Sequence, residues 1–400
     1  MKIIVHRGTH QIGGCVTEIK SNKTRIIIDM GSELPSSNKE SERELEIDGV
    51  TVGKKNCDGV FISHYHGDHI GMVNKVLNDV PIYIGHVAHK IFLNLCEYLQ
   101  DENIDSVRNF RTFKAGEKII LNDLTITPYR VDHSAYDAYM FLIEADGKRI
   151  LHTGDFRNHG WTGKSLWSLI DTYIKNVDVL ITEGTMLSRV AEDVLTEATL
   201  CNKAIKLMQD NRNVFVLCSS TNFDSIASFY KAAKTCGKLF VCDGYQRSNL
   251  DIVSEYAKSS LYKMPEAMIY WDNREDCIEL MRKRGFCMLI RAKKSFKKIL
   301  ELFPDHLFVY SMWHGYIEEG YAKDEDIYNF IPKDNNGNLN YLYLHTSGHA
   351  TSQTIMELCK RLQPKTIIPI HGEKPEMLKE FDLPNCNIRI LNDKEIFDVI

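Results

Sequence analysis

At 400 residues, 44% hydrophobic and 26% charged, the chain can bury a sizeable core and exceeds one ordinary domain. A net charge of −5 argues against nonspecific nucleic-acid binding by overall charge, leaving only a local basic patch for that role. No apolar run approaches the roughly 20 residues of a membrane span, MKIIVHRGTHQ has no signal-peptide pattern, and eleven cysteines without a CxxC pair read as scattered core thiols, so a soluble cytoplasmic protein is expected.

In chain order, MKIIV, CVTEI and RIIIDMG read as short strands, followed by GVFIS, PIYIG, LTITPYRV, AYMFLIEA and KRILHTG, with VDVLIT closing the run. The acidic KESERELEID, residues 39–48, reads as a surface loop. After about Glu192 the texture changes to alternation: helical TLCNKAIKLMQD, strand NVFVLC, helical DSIASFYKAAKTC, strand KLFVC, then helical SNLDIVSEYAK. Such βα repetition predicts a parallel sheet. Strand character returns with NYLYLHTSGHA and KTIIPIHGE, so residues 192–338 are expected to form an α/β insertion between two parts of one domain, 1–191 and 339–400.

FISHYHGDHIGM, residues 61–72, concentrates His64, His66, Asp68 and His69 directly after an apolar run. Alternation along an extended segment sends His64, His66 and Asp68 to one side, and a turn at Gly67 is needed to bring in His69. The apolar spacing of IGMVNKVL predicts that a helix starts there. Further ligands are expected at other strand ends, where a rigid support projects the side chain: His133 after LTITPYRV, Asp155 after RILHTG and His371 after KTIIPI. This gives His64, His66 and His133 for one ion, Asp68, His69 and His371 for a second, and Asp155 as the bridge. Imidazole and carboxylate suit zinc, and manganese accepts the same donors. Two ions about 3.5–4 Å apart activate a water and stabilise both attacking and leaving oxygens, which suits phosphodiester hydrolysis. His86, His89, His152 and His159 read as core or surface residues, with His152 near enough to Asp155 to support it.

HYHGDH, VDH, TGD and IIIDMG together resemble the metallo-β-lactamase superfamily, which implies a four-layer αββα sandwich with metals between its sheets. ITEGT around Glu183, TSGHA around His349 and PIHGE around His371 resemble motifs A, B and C of the β-CASP nucleases, close to ribonuclease J and the cleavage-and-polyadenylation endonucleases. The resemblance implies an inserted β-CASP domain and an RNA substrate, because the histidine in motif C is similar to the RNA-processing branch. It makes Asp68 the residue that orients or deprotonates the attacking water, and His349 the one that steadies the scissile phosphate or protonates the leaving oxygen. Asp29 and Glu183 become supports for ligand loops and histidine tautomers.

The same resemblance places His345, Ser347 and Gly348 of LHTSGHA, with Ser219, Ser220 and Thr221 of CSSTN, at a 5′-phosphate pocket favouring 5′-to-3′ release of nucleotides over internal cutting. The hydroxyls of CSSTN read equally as caps for the following helix. SMWHGYIEEG stands where ribonuclease J commonly has an IPGNE-like phrase, the chain continues only briefly past motif C, and no KH-like module precedes the core, so a homodimer does not follow from the sequence. MRKRGFCMLIRAKKSFKKIL, residues 281–300, carries eight Lys or Arg and no acid. It reads either as a solvated helical face or as an RNA-contacting patch led by Arg282, Lys283 and Arg284, with Arg291, Lys293 and Lys294 behind them. Two other readings of the whole are a hydrolase of a smaller ester or phosphodiester and a non-catalytic RNA-processing subunit; the second requires missing ligands, and all are present.

Overall fold

The computed structural model describes residues 1–34, 45–189, 194–270, 274–319 and 321–400. The expected boundary at Glu192 and residues 39–44 of the acidic stretch lie outside them. Two compact units divide the described chain: 1–34, 45–189 and 348–400 form one, and 194–347 the other.

The first unit holds two seven-stranded sheets. One runs Ile396–Asp398, Lys2–Arg7, Val16–Lys20, Arg25–Ile28, Gly59–Ile62, Ile82–Gly85 and Arg111–Phe113; the other runs Asn387–Ile388, Thr366–Ile370, Val179–Glu183, Lys148–His152, Ala138–Ala145, Leu124–Val131 and Ile119–Leu121. Period-two alternation explains the layers. Ile143, Ile150, Ile181 and Ile368 of the second sheet pack with Ile3, Val5, Ile19 and Phe61 of the first. Their neighbours Leu142, Leu151, Leu180 and Ile367 face the other way and pack with Leu166, Ile355, Leu358 and Leu362 from helical segments. Helix His86–Leu99 packs beside Ile82–Gly85, so helices flank both sheets of a metallo-β-lactamase αββα sandwich. Central strands are buried on both faces, which is why GVFI, VLITE and TIIPI read as continuous apolar runs.

The second unit is a parallel sheet in the order Met268–Ile269, Leu239–Cys242, Phe286–Ile290, Asn213–Cys218, Leu307–Ser311 and Leu342–Tyr343. Its helices carry their start signals in the sequence. Thr196 accepts from Thr199 N, Asn222 from Ser225 N, and Asp243 forms a capping box with Gln246. Among the described residues, no helix is long and apolar enough to cross a membrane.

Two local expectations change. IGMVNKVL does not continue as a helix: one turn, Gly67–Ile70, is followed by a 3-10 turn, Val73–Lys75. The backbone is drawn elsewhere, with Met72 N donating to Met30 O and Leu77 N to Val50 O. NYLYLHTSGHA forms strand only at Leu342–Tyr343, which pairs with Leu307–Ser311 inside the second unit's sheet.

Candidate metal centre

Five segments of the first unit end at one place. Gly59–Ile62 leads to His64, Leu124–Val131 to His133, Lys148–His152 to Asp155, Val179–Glu183 to Glu183 itself, and Thr366–Ile370 to His371. The last two strands pair in parallel with Glu183 opposite Ile370, and this register sets Thr185 beside His371. The single turn Gly67–Ile70 brings Asp68 and His69 back toward His64.

The donors converge on Asp155, whose Oδ2 lies 3.2 Å from His69 Nε2, 3.8 Å from both His64 Nε2 and His371 Nε2, and 4.0 Å from His133 Nε2. On one side, His66 Nδ1 is 3.1 Å from His64 Nε2 and 3.2 Å from His133 Nε2. On the other, Asp68 Oδ2 is 3.1 Å from His371 Nε2 and 3.9 Å from His69 Nε2. Buried Asp155 Oδ1 has no hydrogen-bond partner among the described residues, and buried His69 Nε2 has none beyond its approach to Asp155 Oδ2. Unpartnered buried donors facing one another, in a set of imidazoles and carboxylates, fit a metal ion.

Four of the imidazoles are held by their other nitrogen, His64 Nδ1 standing 3.1 Å from Ser63 Oγ. His69 Nδ1 donates to Asp29 Oδ2 at 2.8 Å, His133 Nδ1 to Gly348 O at 2.6 Å, and His371 Nδ1 to Thr185 Oγ1 at 2.7 Å. The Thr185 hydroxyl in turn donates to His371 O at 3.1 Å. These bonds fix tautomers that leave Nε2 turned to the centre. Asp29 also accepts from Ser63 N and Ser63 Oγ. Both Asp29 and His371 sit in the left-handed region, at φ 62 and 53, a strain that non-glycine residues tolerate only where their surroundings hold them. The glycine of IIIDMG is dictated by close approach, since a Cβ on Gly31 would stand 1.7 Å from Asp68 O.

Burial, reinforced by the neighbouring histidines, pushes His64 and His133 well below the usual imidazole range, and burial brings His66 to about 4. All three are therefore neutral, the form a metal requires. Burial opposes the charged forms of Asp68 and Asp155, but the surrounding histidines overcome it and hold both carboxyls low. His69 moves up despite burial, because Asp155, Asp29 and Asp68 surround it.

His349, like His66, is only partly buried. Its side chain keeps 22% of its surface whereas Asp155 keeps 2%, and its Nδ1 lies 3.0 Å from Glu183 Oε2 and 3.5 Å from Asp155 Oδ2. Glu183 Oε1 accepts from Phe156 N and Ala350 N, so this carboxylate ties together the loops bearing Asp155 and His349. Gly348 has a reason within this unit: its carbonyl holds His133, and a Cβ there would meet Ser134 Oγ at 2.6 Å. Sequence reading passed over Ser63, Thr185 and Cys15; Cys15 lies with His69 and His371 in a set whose donor atoms fall within 4.8 Å of one another.

In the second unit, Ser219 and Thr221 hydroxyls face each other at 3.1 Å, and Ser220 Oγ accepts from Gln246. The cap of helix Phe223–Thr235 is Asn222, so the three hydroxyl residues are not its cap. His345 and Ser347 follow strand Leu342–Tyr343, and the His345 ring is 6.1 Å from that of Tyr343. The basic run is not one patch. Arg282, Lys283 and Arg284 form the last turn of helix Glu275–Arg284, where they complement the helix dipole, while Lys293 and Lys294 follow strand Phe286–Ile290. Five buried strand residues separate the groups by roughly 16 Å. Arg291 is already paired with Asp243.

Residues 24–216 match the family model described as a beta-lactamase superfamily domain, and residues 340–380 match the Zn-dependent metallo-hydrolase RNA specificity domain. Ribonuclease J of Helicobacter pylori strain 26695 is 25% identical over the whole chain and 61% of the relative. Ribonuclease J of Mycoplasma genitalium is 23% identical over 97% of the chain and 71% of the relative, and that of Methanocaldococcus jannaschii is 24% identical over 93% and 91%. The chain thus spans about three fifths of the Helicobacter relative's length. A crystal structure of a protein of unknown function from Enterococcus faecalis V583 shares the fold, with TM-score 0.79, 19% identity and 99% of each chain covered.

Proposed function

The chain belongs to the metallo-β-lactamase superfamily, in the β-CASP form resembling ribonuclease J, and on that premise we propose that it is a zinc-dependent ribonuclease with two ions. The observation that carries the reading is the two-sided donor set around Asp155, with His64, His66 and His133 on one side and Asp68, His69 and His371 on the other. Held by these residues, two divalent ions would supply a more acidic water and offset charge developing on the phosphate. Asp68 lies on the side nearer His371, where its carboxylate, kept ionised by the neighbouring histidines, orients the attacking water. His349, a partly exposed imidazole and the one backed by Glu183, steadies the phosphate and returns a proton to the leaving oxygen.

Support for RNA binding by the inserted unit comes from its sheet. In parallel α/β sheets ligands gather outside the carboxyl ends of the strands. Ser219, Ser220 and Thr221 follow one such end, Lys293 and Lys294 follow another, and His345 and Ser347 a third. The first and third strands flank Leu307–Ser311, so their ends lie roughly 10 Å apart. Hydroxyls and an imidazole at that spacing suit a terminal phosphate, and hence 5′-to-3′ exonuclease action. Arg282, Lys283 and Arg284 sit at the opposite edge, where they serve the helix terminus.

The test incubates the purified protein with end-labelled RNA and DNA, with and without zinc or manganese, comparing 5′-monophosphate, 5′-hydroxyl and 5′-triphosphate forms. Metal-dependent mononucleotides from 5′-monophosphate RNA are expected. Internal fragments at equal rates from all three ends would replace the exonuclease reading with an endonuclease one, and no RNA cleavage would remove the ribonuclease reading.

A further inference from the structure

We propose that Cys15 is a sulfur donor to the ion held by His69 and His371. The thiol is buried, at 1% exposure, and shares a set with those two histidines whose donor atoms all lie within 4.8 Å of one another. A second observation is His69 Nε2, which is buried and aimed into the same space, its nearest polar neighbour being Asp155 Oδ2 at 3.2 Å, while its other nitrogen is committed to Asp29. With Asp68 and Asp155 on the same side, the thiol is a fifth protein donor; donors on one zinc, with Zn–S near 2.3 Å and Zn–N near 2.0 Å, stand about 3.6 Å apart, so a set within 4.8 Å needs only a modest closure.

The backbone presents the thiol deliberately. Gly13 and Gly14 turn the chain through the left-handed region, at φ 79 and 66, immediately before it. Cys15 N then donates to Asp68 O, and Cys15 O accepts from Gly31 N, both at 3.1 Å. The cysteine is thus pinned to the same two loops that carry Asp68 and Asp29. The other ten cysteines join no such donor set among the described residues.

As the metal–sulfur bond forms, the thiol proton passes to the buffer, with no change of oxidation state. A soft thiolate beside imidazoles favours zinc or cadmium over manganese. The inference rests on the cluster being a metal centre and is independent of the substrate.

The experiment is zinc-edge X-ray absorption on the zinc-loaded full chain, with metal content measured on the same sample and on Cys15→Ser. Expected are a sulfur scatterer near 2.3 Å in the wild type, its loss in Cys15→Ser, and a fall of roughly tenfold or more in cadmium-over-manganese preference in the variant. A bound ion with nitrogen and oxygen neighbours alone in the wild type would overturn the sulfur assignment and leave the metal centre standing. Failure of the wild type to hold zinc would overturn both. The wild-type spectrum decides the matter even where Cys15→Ser folds poorly.

Discussion

Asp155 Oδ2 lies 3.2 Å from His69 Nε2 and within 4.0 Å of His64, His133 and His371 nitrogens, so one carboxylate reaches both halves of the donor set. Asp155→Asn should keep the fold by circular dichroism, reduce bound zinc from near two ions per chain to one or fewer, and abolish hydrolysis. Full activity with a single well-occupied ion would refute the shared position.

Thr185 accepts from His371 Nδ1 and donates to His371 O, so it governs a ring it does not bury. Thr185→Val should lower affinity for the ion on the His371 side by about 10–100-fold, while Thr185→Ser restores it. Competition with a chelator measures this. Equal affinities in all three proteins would show that the hydroxyl plays no part in orienting the ring.

The two basic groups of residues 281–300 should behave differently. Reversing Lys293 and Lys294 to Glu should weaken RNA binding and flatten the plot of log affinity against log salt by about 0.7–0.9 for each phosphate that the protein no longer neutralises. Reversing Arg282, Lys283 and Arg284 should leave that slope unchanged and cost stability, because acids at a helix C-terminus oppose its dipole. The opposite ranking would place RNA at the other edge of the sheet.

Glu18 supplies a stability signal remote from the metals. Burial alone would raise its carboxyl, but hydrogen bonds from His6 and Arg25 bring it down to about 2 from an ordinary 4.5. A depressed folded-state value means that its contribution is present in full above the unfolded value and is lost as pH falls from about 4.5 to 2. The contribution is about 3 kcal/mol. Urea unfolding at pH 6 and pH 3 should therefore show a larger loss for the wild type than for Glu18→Gln, and parallel losses would contradict it.

The donor set was legible because strand alternation and one glycine turn place His64, His66, Asp68 and His69 together, and the remaining donors stand where apolar runs stop. Thr185 and Cys15 were not, since each reaches the site through a tertiary relationship: the Glu183–Ile370 register for one, bonds to Asp68 and Gly31 for the other. A threonine or a cysteine in an apolar neighbourhood carries no periodic signal. The βα alternation made strands Asn213–Cys218 and Leu239–Cys242 and the helices around them plain, whereas the cap Asn222 was passed over for the hydroxyls before it and Leu342–Tyr343 was given to the other unit. The basic run misled for a physical reason, because neighbours in sequence are driven apart when a buried strand separates them. IGMVNKVL had helical spacing, yet backbone bonds to Met30 and Val50 outweighed local propensity.

Asp68 and His371 meet across 303 positions of sequence, with 194–347 folding as a separate unit in the interval. The strand Lys2–Arg7 likewise finds one neighbour in Ile396–Asp398. During translation at about 5–20 residues per second, the first histidines wait roughly 15–60 s for their last partner to leave the ribosome. A nascent chain therefore carries an incomplete donor set until His371 has emerged. Over the same interval the edge of Lys2–Arg7 that awaits Ile396–Asp398 stays unpaired, and an unpaired strand edge is prone to aggregation.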